Sequence, residues 1–118
     1  MPSVRMQRVR ELLIRALSEI LRREMPVSEL GIASVNDVDI ANDLQAGTVY
    51  VGLVGTKEQQ RRAMAFLEKE TKRIQGELGR AVVLRYTPKL KFVHDDSIER
   101  GNRILSIIEE IEKTPPKA

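Results

Sequence analysis

His94 is the only imidazole in a chain of 118 residues that has no cysteine. A metal centre needs three or four converging ligands. Asp95 and Asp96 follow the histidine, but no second cluster of ligating residues accompanies them. A nucleophile–imidazole–carboxylate set cannot be argued from one histidine with no assignable partners. The alternation of the surrounding residues puts His94 in register with Phe92, the place of a partly buried structural side chain. Asp37 and Asp39 stand two apart, so a strand would show both on one face. That spacing suits an acid/base pair, but it also describes solvated strand acids, which are far commoner. Neither a P-loop nor a dinucleotide glycine pattern is present. The chain therefore reads as a non-enzyme with no cofactor, no metal and no small-molecule substrate.

Gly76-Glu77-Leu78-Gly79 matches, letter for letter, the GXXG loop whose backbone amides clamp phosphates in KH domains. Such a loop must join two helices, whereas strand-like residues begin here directly after Arg80-Ala81. Glu77 would also repel a phosphate. Gly79 reads instead as a helix C-cap.

Cations carry the stronger signal. Residues 57–92 hold ten Lys/Arg against four Glu, a local net of +6, although the whole chain is only +3. Lys69, Lys72, Arg73 and Arg80 fall on a predicted helix, and Arg85, Lys89 and Lys91 on one face of the strand after it. Arg8, Arg15 and Arg22 recur every seven residues along the outer side of the first helix. Cations near a helix C-terminus also offset the dipole, and lysines on an edge strand discourage aggregation. A basic surface of this kind favours polyanions, because each neutralised phosphate releases counterions. Aromatics make up only 3% of the chain. Phe66 and Phe92 read as core, Tyr86 shares their inward register, and Tyr50 is the one candidate for stacking on a base. RNA recognition would then rest on phosphates and shape, with a strong salt dependence.

These residues need elements to hold them. Val9, Leu13, Ala16, Leu17 and Ile20 share one face of a helix over 1–25, with Ser3 as its N-cap and Pro26 as its stop. Strands are predicted over 31–40 and 48–54, joined by an Asn42-Asp43 turn into an antiparallel hairpin with Val49, Val51 and Leu53 facing one way. Thr56 and Gln59 have capping-box spacing and open a second helix that runs to about Gly79. Its apolar face is Ala63, Phe66, Leu67, Ile74 and Leu78, interrupted at Glu70-Thr71-Lys72, where a bend would let both halves lie on one sheet. A strand is predicted over 82–94, at an edge or broken at Pro88. Asp96 and Glu99 then cap a last helix carrying Ile104, Leu105, Ile107, Ile108 and Ile111.

The order α-β-β-α(kinked)-β-α predicts an α+β domain, a three-stranded sheet with its helices packed on one face, and is compatible with a type II KH arrangement. One domain is expected over 1–113, with 114–118 as a short flexible tail. Neither an apolar run of membrane-spanning length nor a secretory leader is visible, so the expectation is a cytoplasmic protein with no membrane partner. With no heptad seam, a monomer is expected.

Leu84-Arg85-Tyr86-Thr87-Pro88-Lys89-Leu90-Lys91-Phe92, then Asp95-Asp96-Ser97 and Gly101-Asn102-Arg103-Ile104, resemble the signature of the bacterial ribosome-binding factor A family. Asp43-Leu44 with Val49-Tyr50-Val51, and Arg5-Met6-Gln7-Arg8-Val9, are similar to further segments of that family. The resemblance implies a type II KH-like fold with a helix–kink–helix in place of the GXXG loop. It implies binding to the small (30S) ribosomal subunit and its 16S rRNA late in maturation, a part in precursor rRNA processing and cold adaptation, and no catalysis. The family usually carries Ala-x-Gly at the kink, where this chain has Glu70-Thr71-Lys72. The RNA-binding residues expected are Arg8, Arg15, Lys69, Lys72, Arg73, Arg80, Arg85, Lys89 and Lys91. The alternative function is a protein-interaction module that takes a basic partner on the acidic hairpin residues Asp37, Asp39 and Asp43. A hydrolase built on His94 is a third.

Overall fold

The structure, a computed structural model, describes residues 4–41, 43, 45–84 and 86–96. Its elements are α1 (Val4–Glu24), α2 (Val27–Leu30), β1 (Ile32–Ile40), β2 (Ala46–Val54), α3 (Lys57–Lys69), α4 (Thr71–Ala81) and β3 (Lys89–His94). The predicted N-cap Ser3 and the last predicted helix lie outside the described residues.

α1 forms because apolar residues recur at helical spacing, and it buries Val9, Leu13, Leu17, Ile20 and Leu21. Pro26 disfavours helical backbone at the residue before it, so the helix stops at Glu24. The single turn α2 follows, which the sequence reading did not foresee. It closes on Gly31 at φ 72°, with the Gly31 N–H donating to the Val27 carbonyl. A Cβ there would stand 2.4 Å from the Val54 carbonyl oxygen, so only glycine fits.

β1 and β2 form the expected antiparallel hairpin, with Val38 opposite Val49 and Ala33 opposite Leu53. The register slips between Val35 and Asp37, which leaves Asn36 as a bulge and accounts for the imperfect alternation of β1. β3 pairs with β2 in parallel, so the sheet order is β1-β2-β3 and both outer strands are edges. Val38, Val49, Val51, Leu90 and Phe92 are buried on the face that meets the helices, together with Leu67, Ile74 and Leu78. Burying each large aliphatic side chain contributes about 1.5–3 kcal/mol.

The capping box at α3 is complete. The Gln59 N–H donates to Thr56 Oγ1 at 3.1 Å, and Gln59 Oε1 accepts from the Thr56 N–H at 2.9 Å. The bend falls where the stripe was interrupted: Glu70 separates α3 from α4 at φ −99°, ψ 13°. The Thr71 hydroxyl donates to the Leu67 carbonyl at 2.6 Å, one turn back, a contact that bends helices.

Four expectations need correction. The helix does not end at Gly79 but continues to Ala81, with Val82 as its C-cap. Gly79 is instead a place of close approach, since a Cβ on it would come 2.9 Å from Thr87 Oγ1. The last strand spans Lys89–His94, not 82–94. Proline has no N–H for a ladder, and strand pairing starts only after Pro88, where the Lys89 N–H donates to the Gln45 carbonyl at 2.9 Å. Tyr86 accordingly escapes the strand's alternation and is 51% exposed rather than inward. Phe66 is half-buried against the core rather than within it.

Candidate nucleic-acid interface

Arg8, Arg15, Lys69, Lys72, Arg80, Lys89 and Lys91 are all exposed. None of them forms an ion pair with another described residue. Several other cations are already engaged. Arg10 Nη2 lies 2.5 Å from Asp37, at the β1 bulge. Arg61 and Arg62 share Glu58 one turn back on α3. Arg85 lies outside the described residues.

Arg73 differs from the rest of the predicted set. Its guanidinium meets Glu70 at 2.8 Å and also bonds Glu24 of α1, and it sits 5.9 Å above the Phe66 ring. Hydrogen bonds to the two carboxylates hold its proton even more firmly than usual. Glu24 responds in the opposite sense: its hydrogen bond to Arg73 lowers its pKa below the usual carboxylate value. The Glu24 side chain is only 20% exposed. Arg73 thus ties α1 to α4 across the helix layer, and much of its charge is spent inside the protein. Glu77 Oε2, on the same helix, is buried and has no hydrogen-bond partner among the described residues.

The exposed cations divide between two surfaces. On β3, Leu90 and Phe92 turn toward the helices, so Lys89 and Lys91 stand on the opposite face of the sheet. In register with them lie Ala46 and Thr48 of β2. Lys69 and Lys72 flank the α3–α4 break, and Arg80 lies in the last turn of α4. Arg15 borders a shallow groove of about 210 Å³ between α1 and the end of α4, with Leu12, Arg23, Ala81 and Val82. The middle of α4 reaches β3 directly, because the Leu90 N–H donates to Gln75 Oε1 at 2.8 Å. That bond also covers part of the free edge of β3.

Tyr50, the stacking residue suggested by the sequence, is half-buried in a hollow of about 510 Å³ shared with Asp37, Asp39, Asp95 and Arg10. Carboxylates around the ring disfavour a phosphate-bearing ligand there. Asp43 stands apart from this hollow, in the hairpin turn, where its side chain accepts the Gln45 N–H at 3.0 Å. The aromatic that the sequence reading missed is Tyr86. Pro88, two residues on, is the signal that could have found it, since alternation cannot be carried back through a proline that starts a strand. Among the described residues, no three His, Cys, Asp or Glu side chains come together as a metal site, and no helix is long and apolar enough to cross a membrane. His94 is half-buried at the end of β3.

A helix, an antiparallel hairpin, a broken helix and a parallel third strand define a type II KH-like α+β domain with cations on its surface. Residues 5–108 match the family model of Ribosome-binding factor A. Ribosome-binding factor A of Opitutus terrae is 39% identical over 116 residues, covering 98% of this chain and 94% of that protein. The same-named protein of Gloeobacter violaceus is 40% identical over 114 residues, covering 94% and 88%. The crystal structure of ribosome-binding factor A from Thermus thermophilus superposes with a TM-score of 0.66 at 25% identity, covering 75% of this chain and 93% of that one. A homology model of the Thermus thermophilus protein, fitted into a cryo-electron-microscopy map of its complex with the 30S subunit, gives 0.63 at 27% identity, covering 72% and 89%. The chain belongs to the ribosome-binding factor A family.

Proposed function

We propose that this chain is a non-catalytic assembly factor that binds the small ribosomal subunit through its 16S rRNA during late maturation and leaves as the subunit matures. The observation that carries the reading is the set of exposed cations that form no ion pair with another described residue: Arg8, Arg15, Lys69, Lys72 and Arg80 on the helices, and Lys89 and Lys91 on β3. Each supplies a charge that a phosphate can take without breaking an ion pair to another described residue. Arg85 joins the set by its place in the sequence, and Arg73 contributes less because Glu24 and Glu70 already hold it. The fitted complex of the Thermus thermophilus relative with the 30S subunit points to the same partner. Work on precursor rRNA processing and growth in the cold follows from this reading, as do a cytoplasmic location and a monomeric state.

The test is crosslinking to purified small subunits, with mapping of both the nucleotides and the protein peptides. The reading predicts 16S rRNA crosslinks to peptides holding Lys72, Arg80, Lys89 or Lys91. Crosslinks confined to ribosomal proteins would overturn it.

A further inference from the structure

We infer that Tyr86 is a stacking platform for one unpaired RNA base, presented by the segment between α4 and β3 and flanked by cations that hold the neighbouring phosphates. This rests on the rRNA-binding reading and adds base contact to a surface otherwise limited to phosphates.

The segment is anchored on both sides of the ring. Leu84 packs against the core, and Pro88 is fully buried. Thr87 lies against α4 at Gly79, where a Cβ would come 2.9 Å from its hydroxyl. Between these anchors Tyr86 is 51% exposed, and Val83, just before Leu84, is fully exposed. Aromatic rings are scarce in this chain, and an exposed one on a fixed segment offers contact area at little cost in ordering.

The surroundings select the ligand. Arg80 follows Gly79 and Tyr86 precedes Thr87, so the Gly79–Thr87 contact holds their Cα atoms within about 14 Å of each other. Lys89 is three residues beyond Tyr86, within about 11 Å. Both cations are exposed and neither has an ion-pair partner among the described residues. A ring with two such charges within that reach suits a single strand, with a base on the ring and its phosphates on the cations. Tyr50, beside three carboxylates, lacks that setting.

The chain has no tryptophan and two tyrosines, so in a Tyr50→Phe background the intrinsic emission reports Tyr86 alone. The probes are a short uridine-rich single-stranded RNA and an abasic strand of the same length and charge. The inference predicts that the RNA quenches the emission and the abasic strand does not. Tyr86→Ala should weaken RNA binding by about 5- to 150-fold with the salt slope unchanged, whereas Tyr86→Phe should bind normally. Tyr86 is exposed, and circular dichroism checks that each variant is folded. Equal binding of both strands without quenching overturns the inference. So does a Tyr86→Ala variant that loses small subunits although the wild type shows no base-dependent RNA binding, since the ring would then dock a protein. Co-sedimentation of the wild type with small subunits separates the two levels. If it co-sediments without any base dependence, only the inference fails; if it does not co-sediment, the rRNA-binding reading fails with it.

Discussion

Gly31 and Arg73 show how single residues hold this domain together. Gly31 sits at φ 72°, ψ −162°, a conformation that side chains avoid, with the Val54 carbonyl oxygen where a Cβ would go. Gly31→Ala should cost on the order of 1–3 kcal/mol, and each kcal/mol should lower the melting temperature by about 4 °C in a thermal scan. Arg73 makes a pH-dependent contribution through Glu24. A carboxylate whose folded pKa lies below its unfolded value near 4.5 stabilises the fold above that value, and the stabilisation is lost as pH falls through the lower folded pKa. Melting temperatures measured from neutral pH down to pH 3 should therefore fall at the acid end, and Arg73→Met should flatten that limb. An unchanged limb would mean that the Arg73–Glu24 contact contributes nothing in solution. The sequence showed Arg73 as one cation among many. Its partner lies 49 residues earlier, on another helix, and only the packing of α1 against α4 brings the two together.

Elements were most legible where their signals are local. The Thr56–Gln59 box, the Pro26 stop and the apolar stripes of α1 and α3 act within one or two turns, and they appear as read apart from the half-buried Phe66. Thr56→Ala should cost about 1 kcal/mol by stranding the Gln59 N–H, measurable as a lower midpoint in urea with an unchanged slope. The bend at Glu70 was legible from the gap in the stripe, but its cause, the Thr71 hydroxyl on the Leu67 carbonyl, was not. Errors arose where a distant contact decided the outcome. Gly79 resembled a cap because glycines often end helices, yet here it makes room for Thr87. Strand alternation was carried back through Pro88 into a segment that is not strand, and that misplaced Tyr86.

For the whole molecule, sequence order was enough to give the layered α+β arrangement, because a hairpin followed by a helix and one more strand leaves few ways to bury every apolar face, and the family resemblance made it KH-like. The candidate interface was legible as a list of residues but not as a surface. Cations assigned to one patch stand on two sides of the β3 edge, with Lys89 and Lys91 on the open face of the sheet and Lys69, Lys72 and Arg80 on the helices. A partner touching both must wrap that edge, which suits a folded RNA better than a flat surface. The central claim is that these charges meet rRNA phosphates, and it is tested most directly by small-subunit binding across a salt series for the wild type and a Lys89→Glu/Lys91→Glu variant. The account predicts weaker binding by a folded variant and a log–log salt slope shallower by about 1.5–2, since two phosphate contacts are lost. Identical affinity and slope for the two proteins would contradict it.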